Sequence, residues 1–128
     1  MIVADSSIIA EALLKNKNIL EREDAIVTAD LALYEVANSI WKNQFLLKTI
    51  EDGSKYLTLM VDLVESGSIV LIRPDLRLLK RAYEIAEREM IPIYDAVFLA
   101  LALELGVELR SLDNRMMKIF AQVNDSRL

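Results

Sequence analysis

Four short runs that are typical of strands, separated by longer amphipathic segments, constrain the fold of this chain more than any other feature. The runs span residues 2–4, 25–28, 69–72 and 107–111. Each run alone is too short to classify, but the segments between them carry apolar residues at helical spacing. Strands that alternate with helices predict a parallel sheet covered on both faces. The expected fold is therefore α/β, with three α/β/α layers and a central, mainly parallel sheet of four to five strands.

Capping residues and chain breaks place several of the helices. A helix is expected from Asp30 to about residue 46. Residues 49–52 resemble a capping box for the next helix, with Asp in place of the usual Glu or Gln, and Gly67 is placed to end that helix. Nearly every side chain in residues 95–105 is apolar, which predicts a buried helix.

Two further helices complete the expected domain. Pro74 and Asp75 begin an amphipathic helix, and Asp113 is expected to cap the final one. The domain is predicted to span residues 1–123, followed by a polar tail at 124–128. The inward face of the amphipathic helix is predicted to consist of Leu76, Leu79, Ala82, Tyr83, Ala86 and Met90.

The residue types that the chain lacks narrow its chemistry. It has no Cys and no His, so thiolate and histidine catalysis and Cys-ligated metals are excluded. A bound metal must accept oxygen ligands, which favours Mg²⁺ or Mn²⁺. The three glycines form neither a GxGxxG turn nor a GxxxxGK[ST] loop. No apolar run approaches the roughly 18–20 residues of a membrane span, and no signal peptide is visible, so we expect a cytoplasmic protein without membrane contact.

Four acidic residues lie where apolar side chains would normally stand. Asp5 follows the first apolar run, Glu35 lies inside an apolar stretch, Asp95 opens the apolar helix, and Asp113 follows the last run. A carboxylate drawn towards an apolar interior costs several kcal/mol unless its charge is compensated. Strand ends and the starts of the following helices share one edge of a parallel sheet, so the four are expected to converge there on a cation.

Each of these residues also has a structural explanation. Asp95 and Asp113 are good N-cap residues, and Glu35 suits the polar face of an amphipathic helix. Three polar residues nearby are candidates for a supporting role: Ser7, Asn38 and Ser111. Asn38 lies one turn after Glu35 and is expected either to orient its carboxylate by hydrogen bonding or simply to be exposed. The two serines are expected as caps or strand-end hydroxyls, or as ligands of metal-bound water.

The overall charge does not decide between these interpretations. The chain has 15 basic and 20 acidic residues, a net charge of −5, whereas nucleic-acid binding usually relies on a basic surface. If the four acids hold a cation, the remaining charges nearly balance, so the objection weakens. The apolar fraction of 54% exceeds the roughly 45–50% of typical soluble domains. The excess indicates apolar surface used for self-association or for a partner.

In four segments the chain resembles the PIN-domain ribonucleases, and specifically the VapC-type toxins of prokaryotic toxin–antitoxin pairs. The fourth segment departs from the usual Thr-Ala-Asp of the family, although Ser111 keeps a hydroxyl group. Together the segments run in family order through nearly the whole chain. They are IVADSS at 2–7, LYEVAN at 33–38, IYDA at 93–96 and SLD at 111–113.

The resemblance implies an endoribonuclease that depends on one or two Mg²⁺ or Mn²⁺ ions held by Asp5, Glu35, Asp95 and Asp113. The ions would lower the pKa of a bound water, orient the scissile phosphate and stabilise the leaving oxygen. In-line hydrolysis would then leave a 5′-phosphate and a 3′-hydroxyl. The resemblance also implies a homodimer, an RNA substrate and a cognate antitoxin whose basic tail occupies the acidic groove.

Two alternatives remain open at this point. A phosphatase of the HAD type would use Asp5 as its nucleophile beside Mg²⁺, but such sites usually place a second Asp two residues later, where this chain has Ser7. A non-catalytic binding module with the same fold would present only a surface for partners. Retention of all four acids favours the nuclease over this module.

Overall fold

A parallel four-stranded sheet forms the centre of the protein, whose computed structural model describes residues 1–21 and 23–126. The strands lie in the order β3-β2-β1-β4, and each neighbouring pair is parallel. The predicted α/β fold is confirmed, with four strands in the sheet. The strands are β1 (Ile2–Ala4), β2 (Ile26–Ala29), β3 (Ile69–Ile72) and β4 (Glu108–Arg110).

The order of the strands reverses at β1. The chain adds β2 and then β3 on one side of β1 and returns later to place β4 on the other side. Ile2 of β1 is therefore paired with both Ile26 and Glu108. In open parallel sheets, ligand sites form outside the carboxyl ends of the strands where the order reverses. The boundary between β1 and β4 is that place in this protein.

Helices flank the sheet in two groups. The first two helices pack on each other and the first also contacts the third, which in turn contacts β3. The fifth helix packs against β1, β2 and β4 and is contacted by both the fourth and the sixth. The helices are α1 (Ser6–Leu14), α2 (Leu31–Phe45), α3 (Ser54–Glu65), α4 (Leu76–Glu89), α5 (Ile93–Leu105) and α6 (Asn114–Ser126), with a short 3₁₀ helix at Lys17–Leu20.

Helix α5 forms the centre of the core. Every residue from Ala96 to Leu103 is buried, as the continuous apolar sequence predicted. Its larger side chains, such as Phe98 and Leu101, each contribute about 1.5–3 kcal/mol through burial. Gly106 ends the helix with φ +67°, a conformation that glycine adopts without strain. The most buried helix is thus also the one whose first turn carries Asp95.

The predicted capping box at 49–52 is wrong. Helix α3 starts at Ser54, and Gly53 is at its N-cap. The Thr49 hydroxyl instead donates to Asn43 Oδ1 at 2.7 Å, and the Asp52 carboxylate accepts hydrogen bonds from Ser54. The pattern was misleading because the Thr49 hydroxyl is hydrogen-bonded to Asn43 of the preceding helix, α2, and does not cap the following helix.

The predicted inward face of α4 is also largely wrong. The buried side chains are Leu78, Ala82 and Ile85, whereas Leu76 and Tyr83 are 83% and 60% exposed. Both sets recur at helical spacing, so periodicity alone cannot choose between them. Packing of α4 against α5 buries the Leu78 set and leaves an apolar face, here called the α4 face, exposed. The α4 face consists of Leu76, Leu79 and Tyr83.

The last helix continues beyond the predicted end of the domain at residue 123. Helix α6 runs to Ser126, so residues 124–126 of the predicted tail are helical. Residues 127 and 128 lie outside the described part of the chain. Within residues 1–21 and 23–126, no helix combines the length and the apolar character needed to cross a membrane.

Candidate active site

Asp5 lies directly after β1 and caps the helix that follows. Its backbone is extended, with φ −81° and ψ 177°, and its Oδ1 accepts a hydrogen bond from the backbone N–H of Ile8 at 3.2 Å. Its own N–H donates to the carbonyl of Arg110 at 3.1 Å, which continues the pairing of β1 with β4. Asp5 is buried. The carboxylate is therefore held in a fixed orientation at the reversal of the strand order.

Ser7 connects Asp5 to the turn that carries Asp113. Its hydroxyl donates to Asp5 Oδ1 at 2.5 Å and accepts a hydrogen bond from the N–H of Leu112 at 3.0 Å. Ser111 accepts a hydrogen bond from the N–H of Asp113 at 3.0 Å. Ser7 thus joins the end of β1 to the turn that follows β4, whereas Ser111 contacts Asp113 within that turn.

Asp113 is the N-cap of α6, as predicted. Its Oδ1 accepts hydrogen bonds from the N–H groups of Arg115 and Met116 at 2.9 and 3.3 Å. The residue is exposed. One oxygen of this carboxylate therefore satisfies the first turn of α6, in the ordinary manner of an Asp cap.

Glu35 reaches the same edge from α2 and is held by a residue that the sequence did not single out. The hydroxyl of Ser6 donates to Glu35 Oε1 at 3.0 Å. Of the two roles expected for Asn38, the structure shows the exposed one, and no hydrogen bond joins it to Glu35 among the described residues. Ser6 stood next to Asp5 in the sequence, but only the packing of α1 against α2 directs its hydroxyl to Glu35.

Asp95 is not a helix cap. Pro92 occupies the N-cap of α5, and Asp95 follows as the third residue of the helix, half-buried in its first turn. Among the described residues, no hydrogen-bond donor contacts the Asp95 carboxylate. The structural explanation considered from the sequence therefore fails for Asp95, whose carboxylate is placed by the backbone and by no described side-chain contact.

Asp95 and Glu35 lie close enough to the other acids for the negative charges of those acids to affect their ionisation. Burial raises the pKa of Asp95, and the negative charges of Asp113 and Asp5 raise it further. Burial likewise raises the pKa of Glu35; the hydrogen bond from Ser6 opposes this rise, and the charges of Asp95 and Asp5 add to it. Asp95 thus interacts with all three other acids, which together form one electrostatic cluster.

The cluster has the donor chemistry of a hard cation site but is not closed around a single point. In residues 1–21 and 23–126, no Lys or Arg forms an ion pair with any of the four acids. In the same part of the chain, no three Asp or Glu side chains are close enough together to form a complete metal site. Carboxylate oxygens are the ligands that Mg²⁺ and Mn²⁺ prefer. A divalent cation would supply the positive charge that the described side chains do not provide.

A family model described as PIN domain matches residues 2–123, which is nearly the whole chain. The chain belongs to the PIN-domain family. The resemblance seen in the four sequence segments is thereby confirmed. The match also covers the whole cluster, from Asp5 to Asp113.

Relatives of this PIN-domain protein include a curated ribonuclease. Ribonuclease VapC3 of Pyrobaculum aerophilum is 30% identical over 125 residues, which cover 93% of this chain and 94% of the relative. The chain is therefore homologous to VapC ribonucleases along its full matched length.

Solved structures share the fold at lower identity. The Mycobacterium tuberculosis toxin VapC20, described as cleaving the sarcin–ricin loop, superposes with a TM-score of 0.71 at 15% identity, covering 92% of this chain and 94% of that one. VapBC2 of Rickettsia felis, solved with a DNA fragment from their promoter, gives a TM-score of 0.66 at 16% identity and covers 93% of both chains. At these identities the likeness concerns the fold alone.

The raised pKa of Asp95 predicts how stability depends on pH without metal. An acid whose pKa is higher in the folded state binds more protons there, so stability is fully present below the unfolded value of about 4 and falls as the pH rises through the folded value. Asp95→Asn should therefore raise the free energy of unfolding at pH 7 in EDTA. Because the carboxylate is partly solvated and screened, the gain should stay below about 1 kcal/mol.

Urea unfolding at several pH values measures this effect. The matched control is Asp62→Asn, which removes one exposed carboxylate of α3, far along the sequence from the cluster. Asp95→Asn should flatten the decline of stability between about pH 4 and pH 7, and the control should leave it unchanged. A loss of stability at pH 7 in Asp95→Asn would contradict the repulsion among the four acids.

Proposed function

We propose that this protein is a metal-dependent endoribonuclease and the toxin of a toxin–antitoxin pair. The observation that carries the proposal is the electrostatic cluster of Asp5, Glu35, Asp95 and Asp113 at the strand-order reversal of a PIN-domain fold. The 30% identity to ribonuclease VapC3 supports RNA as the substrate. RNA cleavage by such a toxin would take place in the cytoplasm.

The four acids would hold one or two Mg²⁺ or Mn²⁺ ions. When bound, such an ion lowers the pKa of water, neutralises charge on the phosphate and stabilises the leaving oxygen. Without a cation, the four carboxylates would repel the negatively charged phosphodiester backbone of RNA. The negative cluster itself therefore favours a substrate complex that depends on a cation. The chain has no His to act as a base or acid on the ribose 2′-hydroxyl. The proposed products therefore carry a 5′-phosphate and a 3′-hydroxyl.

The remaining side chains of the site have positioning roles in this proposal. Ser7 holds Asp5 and the turn before Asp113 in one hydrogen-bonded unit. Ser6 fixes Glu35 relative to the start of α1. These contacts restrict the side-chain conformations of the carboxylates before a cation binds, so less conformational entropy is lost on binding. Part of the site is thus ordered before any ligand arrives.

Removal of metal or of one carboxylate should abolish RNA cleavage. We expect purified protein to cleave RNA in Mg²⁺ or Mn²⁺, to lose activity in excess EDTA and to regain it when metal is restored. Asp5→Asn should lower the cleavage rate about a hundredfold or more. Loss of a residue that binds the metal directly should reduce activity at least as much as loss of a residue that only supports a metal ligand. The charge-matched control Asp62→Asn should cleave normally. Mapping of the RNA ends should show a 5′-phosphate and a 3′-hydroxyl.

The same assays separate the alternatives. Undiminished cleavage in EDTA would contradict the metal-dependent mechanism. Equal growth inhibition by Asp5→Asn and wild type would favour the non-catalytic binding module. The phosphatase alternative predicts hydrolysis of a generic phosphate ester by wild type and not by Asp5→Asn. Membership of the PIN-domain family favours the nuclease over that alternative.

We further propose that two copies associate through the α4 face. Leu76 and Tyr83 are 83% and 60% exposed on this face, and Leu79 lies between them on the same side of the helix. Apolar side chains grouped in this way are typical of protein interfaces. The α4 face lies on a helix that packs directly on α5, so a dimer would form on the exposed side of α4.

Light scattering at micromolar concentration tests the dimer. Wild type should have the mass of a dimer, and the double variant Leu76→Lys with Tyr83→Lys should be a monomer with unchanged circular dichroism. The control introduces the same charges at Leu46 and Leu47, which are exposed at the end of α2. A monomeric wild type would contradict the dimer, and dissociation by the control pair alone would place the interface elsewhere.

The proposed antitoxin would bind along α2 with a basic segment over the cluster. Trp41 and Phe45 lie farther along the helix that carries Glu35, are about half exposed, and have ring centroids 5.8 Å apart. A partner that covers these rings would bring its charged segment to an acidic cluster that forms no ion pair with a described Lys or Arg. The net charge of −5 adds a general attraction for a basic partner.

Binding of an arginine-rich peptide tests the electrostatic part of this contact without RNA. Fluorescence anisotropy should detect binding that weakens with salt. Asp95→Asn and Glu35→Gln should each weaken it about two- to fivefold, as expected for loss of one exposed charge pair. Asp62→Asn serves as the control for net charge. Equal binding by all variants would show that the peptide does not contact the cluster.

A further inference from the structure

Arg115 joins two separate segments at the edge of the cluster. It lies in the first turn of α6, and its Nη2 donates to the backbone carbonyls of Glu89 and Met90 at 3.1 and 3.4 Å. Both carbonyls belong to the end of α4, where the last carbonyls of a helix lack partners within the helix. A cationic side chain at this end is also favoured by the helix dipole. The contact therefore fastens the start of α6 to the end of α4.

The fastened end of α4 leads directly to Asp95. Met90 turns the chain with φ +55°, a left-handed conformation, and α5 begins three residues later at Ile93. Asp95 is the third residue of that helix, and among the described residues no donor holds its carboxylate. The position of this acid thus depends on the backbone between α4 and α5, which Arg115 contacts.

The other end of the connection is Asp113. The backbone N–H of Arg115 donates to Asp113 Oδ1 at 2.9 Å. One residue therefore contacts the carboxylate of Asp113 with its main chain and the segment leading to Asp95 with its side chain. A connection between the two segments limits how far apart the carboxylates of Asp113 and Asp95 can lie.

We propose that Arg115 is a positioning residue that holds the segment carrying Asp95 beside the turn carrying Asp113. The role in catalysis rests on the proposed function, whereas the mechanical connection between the segments does not. A direct contact with RNA phosphate is the competing role for an exposed arginine. The two roles predict opposite changes in cation binding, because removal of a nearby positive charge by itself favours a bound cation.

The experiment compares Arg115→Gln with Arg115→Lys and with Lys118→Gln. Lys118 is exposed one turn later on α6, so its substitution matches the loss of charge without touching α4. Calorimetric titration with Mn²⁺ should show roughly tenfold weaker binding for Arg115→Gln, the lower end of the range for residues that support metal ligands. Arg115→Lys should recover part of this affinity, since an ammonium can donate to one of the carbonyls, and Lys118→Gln should bind Mn²⁺ at least as tightly as wild type.

A second measurement needs neither metal nor activity. Hydrogen exchange of the backbone amides of Ile91 and Ala96, whose N–H groups are hydrogen-bonded to backbone carbonyls on either side of the connection, should be about fivefold faster in Arg115→Gln than in Lys118→Gln when measured in EDTA. A change of this size corresponds to the loss of one hydrogen bond. Unchanged exchange in this segment would overturn the connection. If wild type binds no Mn²⁺, the proposed function fails while the exchange result still decides the connection.

The kinetics of RNA cleavage distinguish positioning from phosphate binding. Positioning predicts a lower kcat in Arg115→Gln with a nearly unchanged KM, together with weaker Mn²⁺ binding. A higher KM with unchanged kcat, a smaller dependence on salt and unchanged or tighter Mn²⁺ binding would overturn the proposal in favour of a phosphate contact.

Discussion

The pairing of β1 with β4 brings Asp5 next to the turn that carries Asp113. The hydrogen bond from the N–H of Asp5 to the carbonyl of Arg110 extends this pairing past the last residue of β1. A shift of one residue in the register would turn every side chain of β1 to the opposite face of the sheet. It would also separate Ser7 from the N–H of Leu112. The register of one short pair of strands therefore determines whether Asp5 and the turn before Asp113 form a single unit.

Different parts of α5 stabilise the fold and contribute to the site. Residues Ala96 to Leu103 are all buried and anchor the helix in the core. The first turn of the same helix places Asp95 among three other acids, where burial and repulsion disfavour its ionised form. A rigidly buried helix can carry such a residue because the burial of eight neighbours outweighs the cost of one half-buried carboxylate. The half-buried acid of the proposed site thus lies in the first turn of a helix whose following residues are fixed in the core.

Much of this arrangement could be predicted from the sequence, because strand ends, helix starts and caps have local signals. Asp113 was predicted as a cap and is one, and the buried helix after Asp95 needed only its continuous apolar sequence. The α4 face could not be predicted, since Leu76 and Leu78 each belong to an apolar set at helical spacing and only packing on α5 buries one of them. Ser6 was missed for a similar reason, because its contact with Glu35 depends on how two helices meet.

The four acids differ in how they are held, and this difference determines what controls the site. Asp5 and Asp113 are fixed by hydrogen bonds at helix caps, and Glu35 is fixed by the Ser6 hydroxyl. Asp95 alone is placed by its backbone within the described structure, although it interacts electrostatically with all three others. The spacing between the first turn of α5 and the edge formed by β1 and β4 therefore sets how closely the cluster can gather around a cation. Helix α6 limits that spacing, because it follows Asp113 directly and contacts the end of α4 through Arg115. A helix that itself carries none of the four acids therefore limits the geometry of the whole cluster.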